Sequence, residues 1–384
     1  MPTREPPPTP TKALTDHLVE RGVALGLAAV GVTPAELFDR TLADLRERKA
    51  AGLHATMYFT YGRPDRSCDP RGGLPDATSL VVGALRYDGS AVPKPSAGVP
   101  SSIAASARSD HYGRLRRALS ALAVELRSQG WRSRVLADDN ALVDREAARR
   151  AGLGAYGRNA NLLLAGAGSW YVLGSILTDA PLVARPWAGE QPVAEPRCGT
   201  CRRCIDACPT GAIVADGVVD ARRCLAWLVE AGGVFPAEHR VALGDRLYGC
   251  DECQTVCPLN VADDRHHAPE PDAEPWVDAL WVLDATDHQL MSRFARFYLA
   301  GRDPSILRRN AVLVLANSAE PTDAVIGVLG GCLAGEDPLV AAHAVWALRR
   351  LGRPDVVESH LAAGRRHGQS PEFVAELERA VDAR

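Results

Sequence analysis

The chain has 384 residues, 46% hydrophobic and 24% charged, a balance that excludes a disordered, collagen-like or disulfide-held miniprotein chain. At roughly 150 residues per domain it predicts two or three folded domains. The net charge of −3 excludes a global basic field for nucleic acid, so any such contact must use a local patch.

Met1 to Thr11 reads as a disordered, proline-rich leader without the apolar segment of a secretory signal. No run approaches the ~18 apolar residues that span a bilayer, so a cytoplasmic protein is expected. From Lys12 to about Asp179, helix and strand patterns alternate. Ala13–Leu25 predicts a helix, Ala28–Val32 a strand, and Thr33-Pro34 the N-cap and first position of a helix running to about Ala50. Ser79–Tyr87 predicts a strand, Asp110–Gly130 a helix with its leucines on one face, Arg132–Ala137 a strand, Ala141–Ala151 a helix, and Trp170–Leu177 a strand. The alternation argues for an α/β sandwich over residues 12–185. A proline-containing link (Ala180 to Arg197) leads to a cysteine-rich module over 186–270, whose end carries Asp263, Asp264, His266 and His267. Residues 271–384 read as helical. Asp303-Pro304 and Asp337-Pro338 each open a similar segment, 33 to 34 residues apart, which suggests HEAT-like paired-helix repeats. The fold class expected is therefore α+β and multidomain.

Ten cysteines in a reducing compartment need an explanation other than disulfides. Cys198, Cys201, Cys204 and Cys208-Pro209 fit the C-x2-C-x2-C-x3-C-P run of two-cluster ferredoxins at every position. Three close thiolates hold one [4Fe–4S] cluster, and the fourth serves its neighbour. The second half, Cys250, Cys253 and Cys257-Pro258, is one cysteine short, which Cys224 supplies. Cluster one then takes Cys198, Cys201, Cys204 and Cys257; cluster two takes Cys208, Cys224, Cys250 and Cys253. Cys68 and Cys332 are left over and are expected to be buried. Zinc is the competing metal, but its sites seldom show the triple spacing with Cys-Pro. Two clusters relay single electrons, so something beside them should be reduced.

The paired Cys-Pro runs, the lone Cys224 and the segment Tyr248-Gly249-Cys250-Asp251-Glu252-Cys253-Gln254 resemble the epoxyqueuosine reductases. Residues 151–159, from Ala151-Gly152-Leu153-Gly154 to Gly157-Arg158-Asn159, resemble the family's AGLGWxGKN stretch; Gly168-Ser169-Trp170 resembles the strand after it, and Arg309-Asn310-Ala311 the start of its C-terminal repeats. The resemblance implies an α/β cobalamin-binding domain, a ferredoxin-like double [4Fe–4S] module and helical repeats. It implies a base-off corrinoid, reduced to cob(I)alamin by the clusters, and a carboxylic acid that protonates the substrate. The tRNA wobble epoxide would become an alkene, taking up two electrons and two protons and releasing water.

Counting back from Ala151 places Asp138 at the family's acid position, with Asp139 as rival; helix capping is the competing role for Asp138 and Asp139, and the better reading for Asp139 or Asn140. Gly157, Leu162, Asp251, Glu252 and Gln254 are implied as corrinoid contacts. Partners implied are a tRNA anticodon stem-loop and a ferredoxin- or flavodoxin-type electron donor, with a monomeric enzyme off the membrane. Arg293 and Arg296 with Phe294 and Phe297, then Arg308-Arg309 and Arg349-Arg350, are candidate tRNA contacts. Two other functions stay open: a related corrinoid reductase acting on another substrate such as an organohalide, and a non-enzymatic iron–sulfur carrier.

Overall fold

The computed structural model describes residues 12–187, 198–264, 270–363 and 370–379. The leader to Thr11, the end of the proline link, and His266 and His267 lie outside the described residues. Two compact units emerge. The first comprises residues 1–90, 110–222 and 252–270; the second comprises 91–109, 223–251 and 271–384.

The first unit is built on a four-stranded sheet ordered Ala29–Pro34, Ser79–Arg86, Tyr171–Thr178, Ser133–Ala137. Every neighbouring pair is antiparallel. The two inner strands are buried almost throughout, which explains their near-continuous apolar sequences. Gly83 and Gly174 face each other across them, and a Cβ on either would press into Leu119. These paired glycines let the helix His111–Ser128 lie close on the sheet, burying Leu115, Leu119, Leu122 and Leu126. The helix opens where expected, with Asp110 accepting the Gly113 N–H at 2.8 Å.

One boundary differs. Thr33-Pro34 does not start a helix: the strand runs through both residues, opposite Leu80 and Ser79, and the helix begins only at Asp39. Pro34 sits at the strand's last position, where its missing N–H costs no interior ladder bond.

The second unit has a three-stranded sheet, ordered Arg246–Tyr248, Pro100–Ile103, Trp276–Asp278. Its core runs from Ile103 and Leu247 into the helices Ser305–Ser318, Asp323–Ala334 and Pro338–Arg350. Pro338–Arg350 packs on Ser305–Ser318, on Asp323–Ala334 and on Pro371–Glu378. Inside this core Arg240 meets Glu376 through two bonds of 2.6 and 2.7 Å, both side chains almost fully buried. No helix among the described residues is long and apolar enough to cross a membrane.

Candidate functional site

The seven cysteines of the two runs and Cys224 are half-buried, and none of the eight is in a disulfide. Their surroundings suit thiolate ligands. Burial alone would raise the Cys208 thiol, but N–H bonds from Thr210, Ala212 and Ile213 outweigh it and hold the pKa below its ordinary value. The Ala212 N–H lies 3.2 Å from the sulfur. Cys204 is raised by burial and then by the neighbouring Cys198 and Cys257, so these three members of the first expected ligand set share one electrostatic neighbourhood. Positive iron there would relieve this repulsion. The short helix Arg203–Asp206, which carries Cys204, packs on Glu252–Thr255, which carries Cys253.

A polar wall joins this module to the sheet of the first unit. Asn159 donates to the Cys253 carbonyl at 3.0 Å. The Gln254 amide donates to Ser169 Oγ at 3.0 Å and to the Ser169 carbonyl at 3.2 Å, and its nitrogen lies 3.4 Å from the Tyr87 hydroxyl. Asn260, fully buried, donates to the Gln254 carbonyl at 2.8 Å and accepts the Ser169 N–H at 2.5 Å. Gly168 admits this contact, since a Cβ there would collide with Asn260 Oδ1. His111 is buried against the Tyr87 ring, centroids 5.3 Å apart.

Asp138 follows the edge strand Ser133–Ala137 and takes φ +55°, a left-handed conformation uncommon for any residue but glycine. The residue is exposed, yet the protein around its carboxyl desolvates the charged form and raises its pKa; Arg116 opposes the shift and Asp139 adds to it. Arg116 itself donates to the Ala137 carbonyl at 3.0 Å and lies over the Tyr112 ring. Tyr112 is pushed up by burial, then by the charges of Asp138 and Asp144. Asp139 is differently engaged: it accepts the Ala141 N–H at 2.8 Å and faces Arg134 at 3.5 Å, which makes it the turn-forming aspartate. Such a set favours the protonated form of Asp138, relative to a free carboxyl, and leaves it on the solvent side.

The remaining expected contacts are spread. Gly157 sits in a tight loop, its N–H on the Asn161 carbonyl at 2.8 Å. Leu162 is buried in a short hairpin strand. Glu252 begins the helix of Cys253. Asp251 belongs to the second unit and accepts the Ala105 N–H at 2.7 Å. Most of the candidate tRNA arginines are engaged by the protein's own carbonyls and carboxylates. Arg309 is buried and donates to the carbonyls of Leu228, Ala231 and Gly233 at 2.7 to 2.8 Å. Arg293 and Arg296 grip Glu274 over buried Phe294 and Phe297. Arg308 binds Asp287 and the Ala285 carbonyl, and Arg349 binds carbonyls of Glu376 and Leu377. Asn260, Tyr112, Arg116 and Asp144 were not expected; only Asn260 had a nearby signal, two residues after Cys257-Pro258.

The 4Fe-4S double cluster binding domain matches residues 197–260. An epoxyqueuosine reductase of Bacillus subtilis is 30% identical, with 96% of this chain and 95% of that protein covered. The chain belongs to the epoxyqueuosine reductase family. A Xanthomonas campestris epoxyqueuosine reductase is 32% identical over 85% of this chain and 93% of its own. A crystal structure of epoxyqueuosine reductase with an epoxyqueuosine-modified tRNA-Tyr stem loop superposes with a TM-score of 0.85 at 29% identity, covering 95% and 97% of the two chains. A Bacillus subtilis epoxyqueuosine reductase structure with a catalytic aspartate loop swung out of its active site has a TM-score of 0.84 at 28% identity, covering 95% and 98%. The chain is thus an oxidoreductase with an iron–sulfur double-cluster domain inside an epoxyqueuosine reductase fold.

Proposed function

We propose that this chain reduces the epoxide of epoxyqueuosine at the tRNA wobble position, giving queuosine. The observation that carries the reading is likeness along nearly the whole chain, TM-score 0.85, to an epoxyqueuosine reductase bound to its modified tRNA stem loop. The epoxide takes up two electrons and two protons; both of its C–O bonds break, the oxygen leaves as water, and an alkene remains. Cys198, Cys201, Cys204 and Cys257 would hold one cluster, and Cys208, Cys224, Cys250 and Cys253 the other. Gly157, Leu162, Asp251, Glu252 and Gln254 would face a base-off cobalamin. When bound, the clusters relay single electrons and the corrinoid supplies a strongly reducing cobalt centre.

The protein's own part is to hold the proton. Asp138 is our choice of acid, because its carboxyl is raised while Asp139 is tied into the turn. The Asn159, Gln254 and Asn260 bonds fix the wall between the cysteine module and the sheet. The outer helices from Ser305 to Glu378 read as HEAT-like repeats. We further infer a cytoplasmic monomer that takes electrons from a ferredoxin- or flavodoxin-type donor.

Expression in a cell that lacks its own reductase and accumulates epoxyqueuosine tests this function. Clearance of epoxyqueuosine from that cell's tRNA, with matching gain of queuosine, supports it. Persistence of epoxyqueuosine, with the protein soluble and carrying iron, overturns it.

A further inference from the structure

Most of the expected arginines are already engaged within the protein, and a less committed cationic surface lies in the first unit. An open concavity of about 690 Å³ is lined by Arg46, Lys49, Arg63 and Arg66, with Gly62 and Asp65. Arg46 pairs with Asp65, and the Lys49 ammonium rests on the Tyr61 carbonyl at 2.8 Å. Arg63 and Arg66 are exposed, and no bond or ion pair among the described residues engages their guanidinium groups. Three positive charges thus stay uncompensated on one face of a chain whose net charge is −3. Beside them Tyr58 is 59% exposed, and its ring lies so close to Gly62 that a Cβ there would collide with it. Free cations around an exposed ring are the means by which proteins hold single-stranded nucleic acid: phosphates on the cations, a base on the ring.

The same segment holds the acid's loop. The Thr60 N–H donates to Asn140 Oδ1 at 2.5 Å, Ser67 Oγ donates to the Asn140 carbonyl at 2.6 Å, and the Val143 N–H donates to the Ser67 carbonyl at 3.0 Å. Thr60, at φ +65°, and Asp138, at φ +55°, are both left-handed, on either side of this joint. A β-branched residue is rarely held in that region, and such outliers gather at functional sites.

We propose that the Arg63–Arg66 concavity, with Lys49 and Tyr58, is the surface that grips the RNA backbone of the anticodon loop beside the Asp138 loop. This rests on the tRNA reading above. The test is binding of a synthetic unmodified anticodon stem-loop RNA to the full-length protein at several salt concentrations, beside turnover of modified tRNA. The R63A/R66A double variant should weaken binding on the order of tenfold and lower the salt slope by about two. It should also raise KM with kcat largely kept. R63K/R66K should recover most of the affinity, which a folding defect would not allow, and exposed Arg117→Ala on another face serves as control. Unchanged affinity and salt slope in R63A/R66A, while the wild type binds and turns over, overturns this surface and leaves the enzyme reading intact. No RNA binding by the wild type overturns both.

Discussion

Asp144 and Asp138 are bound to each other's state: burial, and then the charge of Asp138, hold the Asp144 carboxyl well above its ordinary pKa range. Asp144 Oδ1 is buried with no hydrogen-bond partner among the described residues. A carboxyl so placed favours its protonated form.

This coupling predicts a pH signature. The folded protein keeps the Asp144 proton over a range where the unfolded chain has lost it. Stability is therefore lost as pH rises from the unfolded value, about 3.9, through the raised folded one, by up to about 1.4 kcal/mol per pH unit. Asp144→Asn removes that slope. Urea melts of both proteins between acid and neutral pH should give a stability difference that grows with pH in favour of the variant; a constant difference would contradict the assignment.

The two aspartates of the turn should separate in kinetics. Asp138→Asn should lower kcat by about 10²- to 10⁴-fold, the usual worth of a general acid. Asp139→Ala should act mainly on stability, by about 1 kcal/mol, because its side chain closes the turn on Ala141. In the wild type, activity should fall as pH rises through the raised Asp138 value, since only the protonated carboxyl can donate. Equal losses in both variants would count against Asp138 as the donor.

Iron content should track the cysteine assignment. Cys204→Ser and Cys208→Ser should each remove about half of the bound iron, since they serve different clusters. Cys68→Ser and Cys332→Ser should leave it unchanged. Burial pushes these two thiols up, to about 12 and about 11, which makes them poor ligands. Iron analysis and absorbance after anaerobic purification read both outcomes.

The Arg240–Glu376 pair sets a stability prediction in the second unit. Glu376→Ala would leave a buried guanidinium without its partner and should cost about 3–5 kcal/mol. A thermal melt unchanged from wild type would show that the helix Pro371–Glu378 is not secured by this contact.

Strands and long helices were legible because their apolar periods are uninterrupted, as in Ser79–Arg86 and His111–Ser128. The cysteine module was legible because its spacing is stereotyped. Thr33-Pro34 misled because a helix-start dipeptide also suits a strand's last positions, and tertiary pairing decided the matter. Charge in sequence says nothing of burial: Arg309 looks like a surface cation, yet it fills a cage of backbone carbonyls. The partners of Asp138 were hidden for a related reason. Tyr112 and Arg116 lie on a distant helix, and only the fold brings them to the turn.

The most direct measurement is nucleoside mass spectrometry on epoxyqueuosine-containing tRNA incubated with anaerobically purified, cobalamin-loaded protein and a reductant. Conversion to queuosine with loss of one oxygen, dependent on Asp138, is the expected result. Unchanged epoxyqueuosine, with both clusters intact and the corrinoid bound, would contradict it.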